Sequence, residues 1–160
     1  MTEMIPDARK REPMIRRRHL PELYTCIVER SGLRELHLTL LPQHGESAAM
    51  MLERLVVLLR THNAKVVRHE VFGDHAAQPD FSAALHRLFG EHAWPVTWTE
   101  GAACNNASVA GMHVLAIVGT RVESVAVAGR VVGRIFDDGH ARHCVLGDIR
   151  PTDVSASRDQ

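Results

Sequence analysis

Arg34-Glu-Leu-His-Leu-Thr-Leu40 is followed, after a loop at Pro42 to Gly45, by Ser47-Ala-Ala-Met-Met-Leu-Glu-Arg-Leu-Val-Val-Leu-Leu-Arg-Thr-His62, and these two stretches decide the fold. The first alternates polar and apolar residues at a period of two, the mark of a strand with one face buried. In the second, Ala48, Leu52, Leu55, Val56 and Leu59 recur at three- and four-residue steps and give one apolar stripe of a helix. Glu46 and Glu53 lie toward the positive end of that helix and Arg60 toward its negative end. A strand that buries one face beside a helix with one apolar stripe makes a layered α+β domain.

Outward from this pair the punctuation is regular. Tyr24 to Glu29 reads as a strand, with Ser31-Gly32 as the turn after it. Lys65 to Phe72 is the strand after the helix, stopped by Gly73-Asp74. A second helix follows Pro79-Asp80, with Phe81, Ala84, Leu85 and Leu88 on one face and Gly90 as its stop. Pro95 to Glu100 is a short strand and Gly101 to Ser108 a loop. Val109 to Val118, the most apolar strand, is expected at the centre of the sheet. Three further strands are expected over Val122 to Val127, Val131 to Phe136 and His143 to Ile149, with Ala128-Gly129 and Asp138-Gly139 as turns. The expected fold is therefore a mixed β-sheet with two helices packed on one face, plus an extra β-rich C-terminal tail. Two helices roof only one side of such a sheet. Closure of the other side is expected from further copies of the chain.

Composition narrows the function. The chain has 160 residues, 45% hydrophobic and 24% charged, as in one soluble globular domain. Lys plus Arg is 19 and Asp plus Glu is 19, so the basic excess of a bulk nucleic-acid binder is absent. Aromatic residues are 4%, which leaves few platforms for stacking bases. The longest apolar runs, such as Leu55 to Leu59, fall far short of the roughly 20 residues of a membrane span. The Arg-rich, proline-broken start has no apolar core of a secretory signal. Cys26, Cys104 and Cys144 are an odd set without a CxxC pair and read as reduced thiols. A cytoplasmic protein is expected.

Residues 1–19 read as a flexible basic arm, residues 20–136 as the α+β domain, and residues 137–160 as a C-terminal strand and tail. The arm carries Arg9, Lys10, Arg11, Arg16, Arg17 and Arg18 between Pro6 and Pro13. It reads as a solvated terminus more readily than as an anion-binding tail.

The residues resemble the Rid (YjgF-like) family. The likeness lies in Leu40-Leu41-Pro42 before the long helix and in Ala64-Lys-Val-Val-Arg-His-Glu-Val-Phe72 after it. It continues in the helix from Phe81 to Phe89 and in Trp94-Pro95 opening a strand. It covers about Arg30 to Gly119. The resemblance implies a chorismate-mutase-like fold and a homotrimer with small-molecule clefts between subunits. In the tail, Arg142-His-Cys-Val-Leu-Gly-Asp-Ile-Arg-Pro151 echoes Arg34 to Pro42. It is similar to the start of a second Rid-like repeat, as in two-domain chorismatase-like hydrolases. Equally, the tail extends the sheet or pairs with a neighbour.

Rid enamine and imine deaminases hold the substrate carboxylate with an Arg in a Pro-Ala-Arg pattern, a bidentate pairing that no neutral residue reproduces. The corresponding stretch here is Pro95-Val96-Thr97, without that Arg. The family's water-positioning acid on the next strand is also missing from Met112 to Val118. The expectation is a ligand-binding domain without the usual deaminase activity. The rival readings are a divergent deaminase or chorismatase-like hydrolase, and an RNA-binding or ribonuclease-like protein.

The polar residues that the resemblance leaves in the cleft are Thr97, Trp98, Thr99, Glu100, Cys104, Asn105, Asn106 and His113. Glu100 with His113 would make an acid–base pair if the strands pair in that register, and Cys104 near a His a nucleophile. The bland reading is a polar loop, with Asn105-Asn106 shaping a turn. There are 11 histidines. His140, His143 and Cys144 are poorly placed to share an ion, because the two histidines point to opposite faces of an extended segment. No HxH or HExxH spacing occurs, so no metal is expected. His37, His69 and His113 lie on three strands and would cluster if they shared a face, but they read more readily as satisfied, partly buried imidazoles. Gly129-Arg-Val-Val-Gly133 lacks the pattern of a phosphate loop, and no cofactor is expected.

Overall fold

Alternation in two adjacent strands builds the centre of the molecule. In β3 (Leu33–Leu40) and β6 (Val109–Val118), Leu36, Leu38 and Leu40 stand opposite Ala116, Val114 and Met112. All six are buried in one cluster under the helices. Glu35, His37 and Thr39 stand opposite Ile117, Leu115 and His113 and face the other way. The structure, a computed structural model, describes residues 13–30, 32–90, 94–101, 103 and 107–149.

β1 (Met14–Leu20), β2 (Leu23–Arg30), β4 (Lys65–Gly73) and β5 (Val96–Glu100) complete a six-stranded sheet of order β1-β2-β3-β6-β4-β5. β4 and β5 are parallel, and the other pairs are antiparallel. α1 (Ala48–His62) carries the chain from β3 to β4, and α2 (Gln78–Phe89) from β4 to β5. Both crossovers step the same way across the sheet. Right-handed connections then set both helices on one face. Ser47 caps α1 by accepting the N–H of Met50 at 3.3 Å, and Asn63 ends it in the left-handed conformation. The first turn of α1 holds no acid. Glu46 lies before the cap, where its carboxylate accepts from the Gln43 N–H at 2.8 Å and from Arg54 at 2.8 Å. Met51, Leu52, Leu55 and Leu59 of α1 share one core cluster with Phe81, Ala84 and Leu85 of α2 over the sheet.

The basic arm expected over residues 1–19 is corrected in its second part. Residues 14–20 are β1, paired with β2 from Met14↔Glu29 to Leu20↔Leu23, and residues 1–12 lie outside the described residues. Every side chain of β1 is exposed, so backbone pairing does most to form the strand and no apolar period announces it.

The β-rich tail is a second sheet. β7 (Val122–Val127), β8 (Arg130–Asp137) and β9 (Arg142–Leu146) form an antiparallel sheet of order β7-β8-β9. Ala128 and Gly129 both take positive φ in the β7–β8 turn, as a tight hairpin of right-handed twist requires. Phe136 packs on Leu33, Val67 and Ile117, on the sheet face away from the helices, with Leu115, Val122 and Val145 around it. The idea that the bare face is closed only by other copies is thus corrected in part: the chain's own tail closes one corner. Ile15 and Tyr24 on the same face remain exposed. The partner of β9 is β8, and residues 150–160 lie outside the described residues. No helix among the described residues is long and apolar enough to cross a membrane.

Candidate functional site

β5 is an edge strand, and a cleft of about 540 Å³ opens beside it. Thr97, Trp98 and Glu100 form one wall, His75 and Gln78 near the start of α2 a second, and the segment 146–149, from the last residue of β9 onward, the third. Trp98 is held by an edge-on contact with Phe81, ring centroids 5.5 Å apart. Its indole N–H is buried and meets no acceptor among the described residues. The Thr97 hydroxyl accepts the N–H of Asp148 at 3.3 Å, which pins the third wall to the strand across 51 residues of sequence.

The cleft's charge is acidic to neutral. Glu100 and Asp148 contribute carboxylates, and no Lys or Arg lines it among the described residues. Arg130 borders an adjoining groove that also includes Trp98 and Asp148. Its guanidinium donates to the Asp148 carboxylate at 2.7 Å, so the nearest cation is already paired. A neutral or cationic polar ligand fits these walls better than a carboxylate, which would meet like charge without a free donor fork.

Of the residues expected in the site, Thr97, Trp98 and Glu100 come together in this cleft. Cys104 and Asn105 lie outside the described residues, as does Asn106. His113 does not line the cleft. It lies on β6, on the face away from the helices, with Nδ1 3.3 Å from Glu70 Oε2. Glu70, and not Glu100, is therefore its carboxylate partner, and the Glu100–His113 pair does not form. His75, Gln78 and the 146–149 wall were missed by sequence reasoning. Nothing local to those residues signals that they meet β5.

The three strand histidines divide between faces. His37 lies 3.4 Å from Glu35, and its ring centroid is 6.2 Å from that of His113. With Arg30 at 4.0 Å from Glu35 and Arg68 at 3.7 Å from Glu70, they make a row across β2, β3, β6 and β4 in which an Arg–Glu pair flanks the two imidazoles on each side. His69 is on the opposite face, fully buried beside Phe81 and Trp94. The alternative in which His37, His69 and His113 cluster does not form, because β4 carries a β-bulge. Val66 faces Ala116 and Arg68 faces Leu115, leaving Val67 as the extra residue. The inserted residue reverses the alternation, so His69 points to the helices and Glu70 to the open face.

Fold and cleft together define a mixed α+β domain with a small-molecule-sized cleft at the edge of its sheet. No family model matches the sequence, and no curated protein matches it. Among solved structures the chain is similar to one from Salmonella typhimurium described as a "putative translation initiation inhibitor". The two are 16% identical, with a TM-score of 0.47, over 66% of this chain and 96% of that one.

Proposed function

We propose that the chain is a Rid-like domain that binds a small molecule in the β5 cleft, assembles as a homotrimer and lacks enamine or imine deaminase activity. The observation that carries this reading is Thr97. It stands where the deaminase pattern has its Arg, and its hydroxyl is taken up by the Asp148 N–H. The neighbouring guanidinium, Arg130, is held by Asp148 itself. A substrate carboxylate thus meets no free bidentate donor among the described residues that line the cleft. The ligand class that suits Glu100, Gln78 and Thr97 is a neutral or cationic polar molecule.

Assembly is supported by the part of the sheet that the tail leaves open. Exposed Ile15 and Tyr24 flank Cys26 and the His37–His113 row there, and a sister copy would cover them. Cys26 and Cys144 are free thiols, in keeping with a cytoplasmic setting.

The test is hydrolysis of imines derived from several amino acids, followed by release of the keto acid. The expected rate equals that of buffer. A protein-dependent rate with any of these imines overturns the reading.

A further inference from the structure

A second cleft, of about 290 Å³, lies at the opposite end of the helices from the β5 cleft, where the last turns of α1 meet the start of β4 and Arg134 of β8. Its floor is apolar: Val56, Leu59, Phe89 and Trp94. Phe89 and Trp94 meet edge-on with ring centroids 4.4 Å apart, a firm aromatic base. The Trp94 N–H donates inward to His69 at 2.9 Å, so the indole offers the cleft carbon and no donor.

The rim has the opposite character. Arg60, Lys65 and Arg134 surround this floor, no carboxylate lines it among the described residues, and none of the three cations has an ion-pair partner there. Arg60 has a local reason to be where it is, since cations suit the C-terminal turn of a helix. Arg134 has none. It is half-buried, one terminal nitrogen donates to the Ser124 hydroxyl, and its Nε is buried with no acceptor. A guanidinium withdrawn from water without a counter-ion is costly, and an anion beside it removes that cost. Burial accordingly pulls the Arg134 pKa down from its ordinary value.

We infer that this cleft binds a small amphipathic anion, with an aliphatic or aryl body on Phe89 and Trp94 and a carboxylate or phosphate head on Arg134, Lys65 and Arg60. The volume lies near the lower limit of about 300 Å³ for small-molecule pockets, so the body is short. The inference is independent of the β5 cleft, whose charge is of the other sign.

The experiment uses the full chain and three probes: octanoate, octyl phosphate and 1-octanol. Titration calorimetry measures affinity. The two indole N–H signals in a nitrogen–proton correlation spectrum report the site, because the chain has 2 tryptophans. Octanoate or octyl phosphate is expected to bind saturably, moving the Trp94 signal and leaving that of Trp98 in place. The tighter of the two identifies the head group. 1-Octanol should bind at least tenfold more weakly, and raising the salt should weaken only the anions. Arg134→Gln should lower the anion affinity about tenfold. Lys65→Gln, at an exposed position that leaves folding intact, should lower it about threefold. Failure of both anions to bind, equal binding of the alcohol, movement of Trp98 instead of Trp94, or unchanged affinity in Lys65→Gln and a folded Arg134→Gln each overturns the inference.

Discussion

Trp94 donates its indole N–H to Nδ1 of His69 at 2.9 Å, and this bond sets the state of the most deeply buried titratable group described in the protein. An accepting Nδ1 places the imidazole proton on Nε2 and keeps the ring neutral. Burial, helped by the charge of His113, pushes the His69 pKa down to about 3.

This gives the protein an acid-side weakness. The unfolded chain takes up a proton at His69 as the pH falls below its ordinary value of 6.5, whereas the folded chain does so only near 3. Stability is therefore complete above 6.5 and is lost as the pH falls through that window, by up to about 1.4 kcal/mol per pH unit. His69→Gln keeps an acceptor for Trp94 but cannot titrate. Urea unfolding at pH 7 and pH 5 should show a loss smaller by about 2 kcal/mol in the variant. An identical loss in both proteins contradicts the assignment.

Arg54 ties the β1–β2 turn and the β3–α1 loop to α1. Its guanidinium donates to the Leu41 carbonyl at 2.7 Å, the Glu22 carbonyl at 3.3 Å and the Glu46 carboxylate at 2.8 Å. Glu46 is nearly buried, so removing its partner strands a charge. Arg54→Ala should cost about 2–4 kcal/mol in urea unfolding. Arg54→Lys should recover less than half of that, because an ammonium cannot serve three acceptors in a planar fork. Full recovery by Lys would show that charge alone matters.

Gly119 closes β6 at a point where the backbone leaves no room. Its φ is +102°, and an added Cβ would lie 2.5 Å from the Gly32 carbonyl oxygen. Gly139 also has positive φ, +84°, but open space around it. Gly119→Ala is expected to destabilise by more than about 2 kcal/mol and Gly139→Ala by about 1 kcal/mol, read as the difference in thermal midpoint. Equal shifts would remove the steric part of the argument.

Much of this architecture was legible because its elements carry local signals. Strict alternation marks β3, and the Ser47 cap with its three- and four-residue apolar steps marks α1. Strand β6 was expected over the residues it occupies. What was hidden depends on pairing across distance. β1 has no buried side chain, so Arg16, Arg17 and Arg18 look like a solvated charge run. The side to which His69 points is set by one extra residue at Val67, invisible until β4 is laid against β6. Strands β7 to β9 were expected, but that Phe136 would close a corner over Ile117 was not. Along the cleft, Thr97, Trp98 and Glu100 come from one short strand, whereas the wall at 146–149 arrives from a distant segment.

The open face should be sensitive to charge if sister copies cover it. Tyr24 is exposed on β2 and stacks on His19 with ring centroids 4.2 Å apart, at a position that supports no buried core. Tyr24→Glu is expected to leave the circular dichroism spectrum unchanged and to weaken assembly at least tenfold, measured by light scattering across a dilution series. Unaltered assembly would place the interface elsewhere.

Sedimentation equilibrium on the full chain at micromolar concentration weighs the account most directly. The prediction is a single species of three times 17.8 kDa, in which the half-open sheet is closed by two further copies. A stable species of 17.8 kDa across the same range would contradict the trimeric reading and leave the tail sheet as the face's only cover among the described residues.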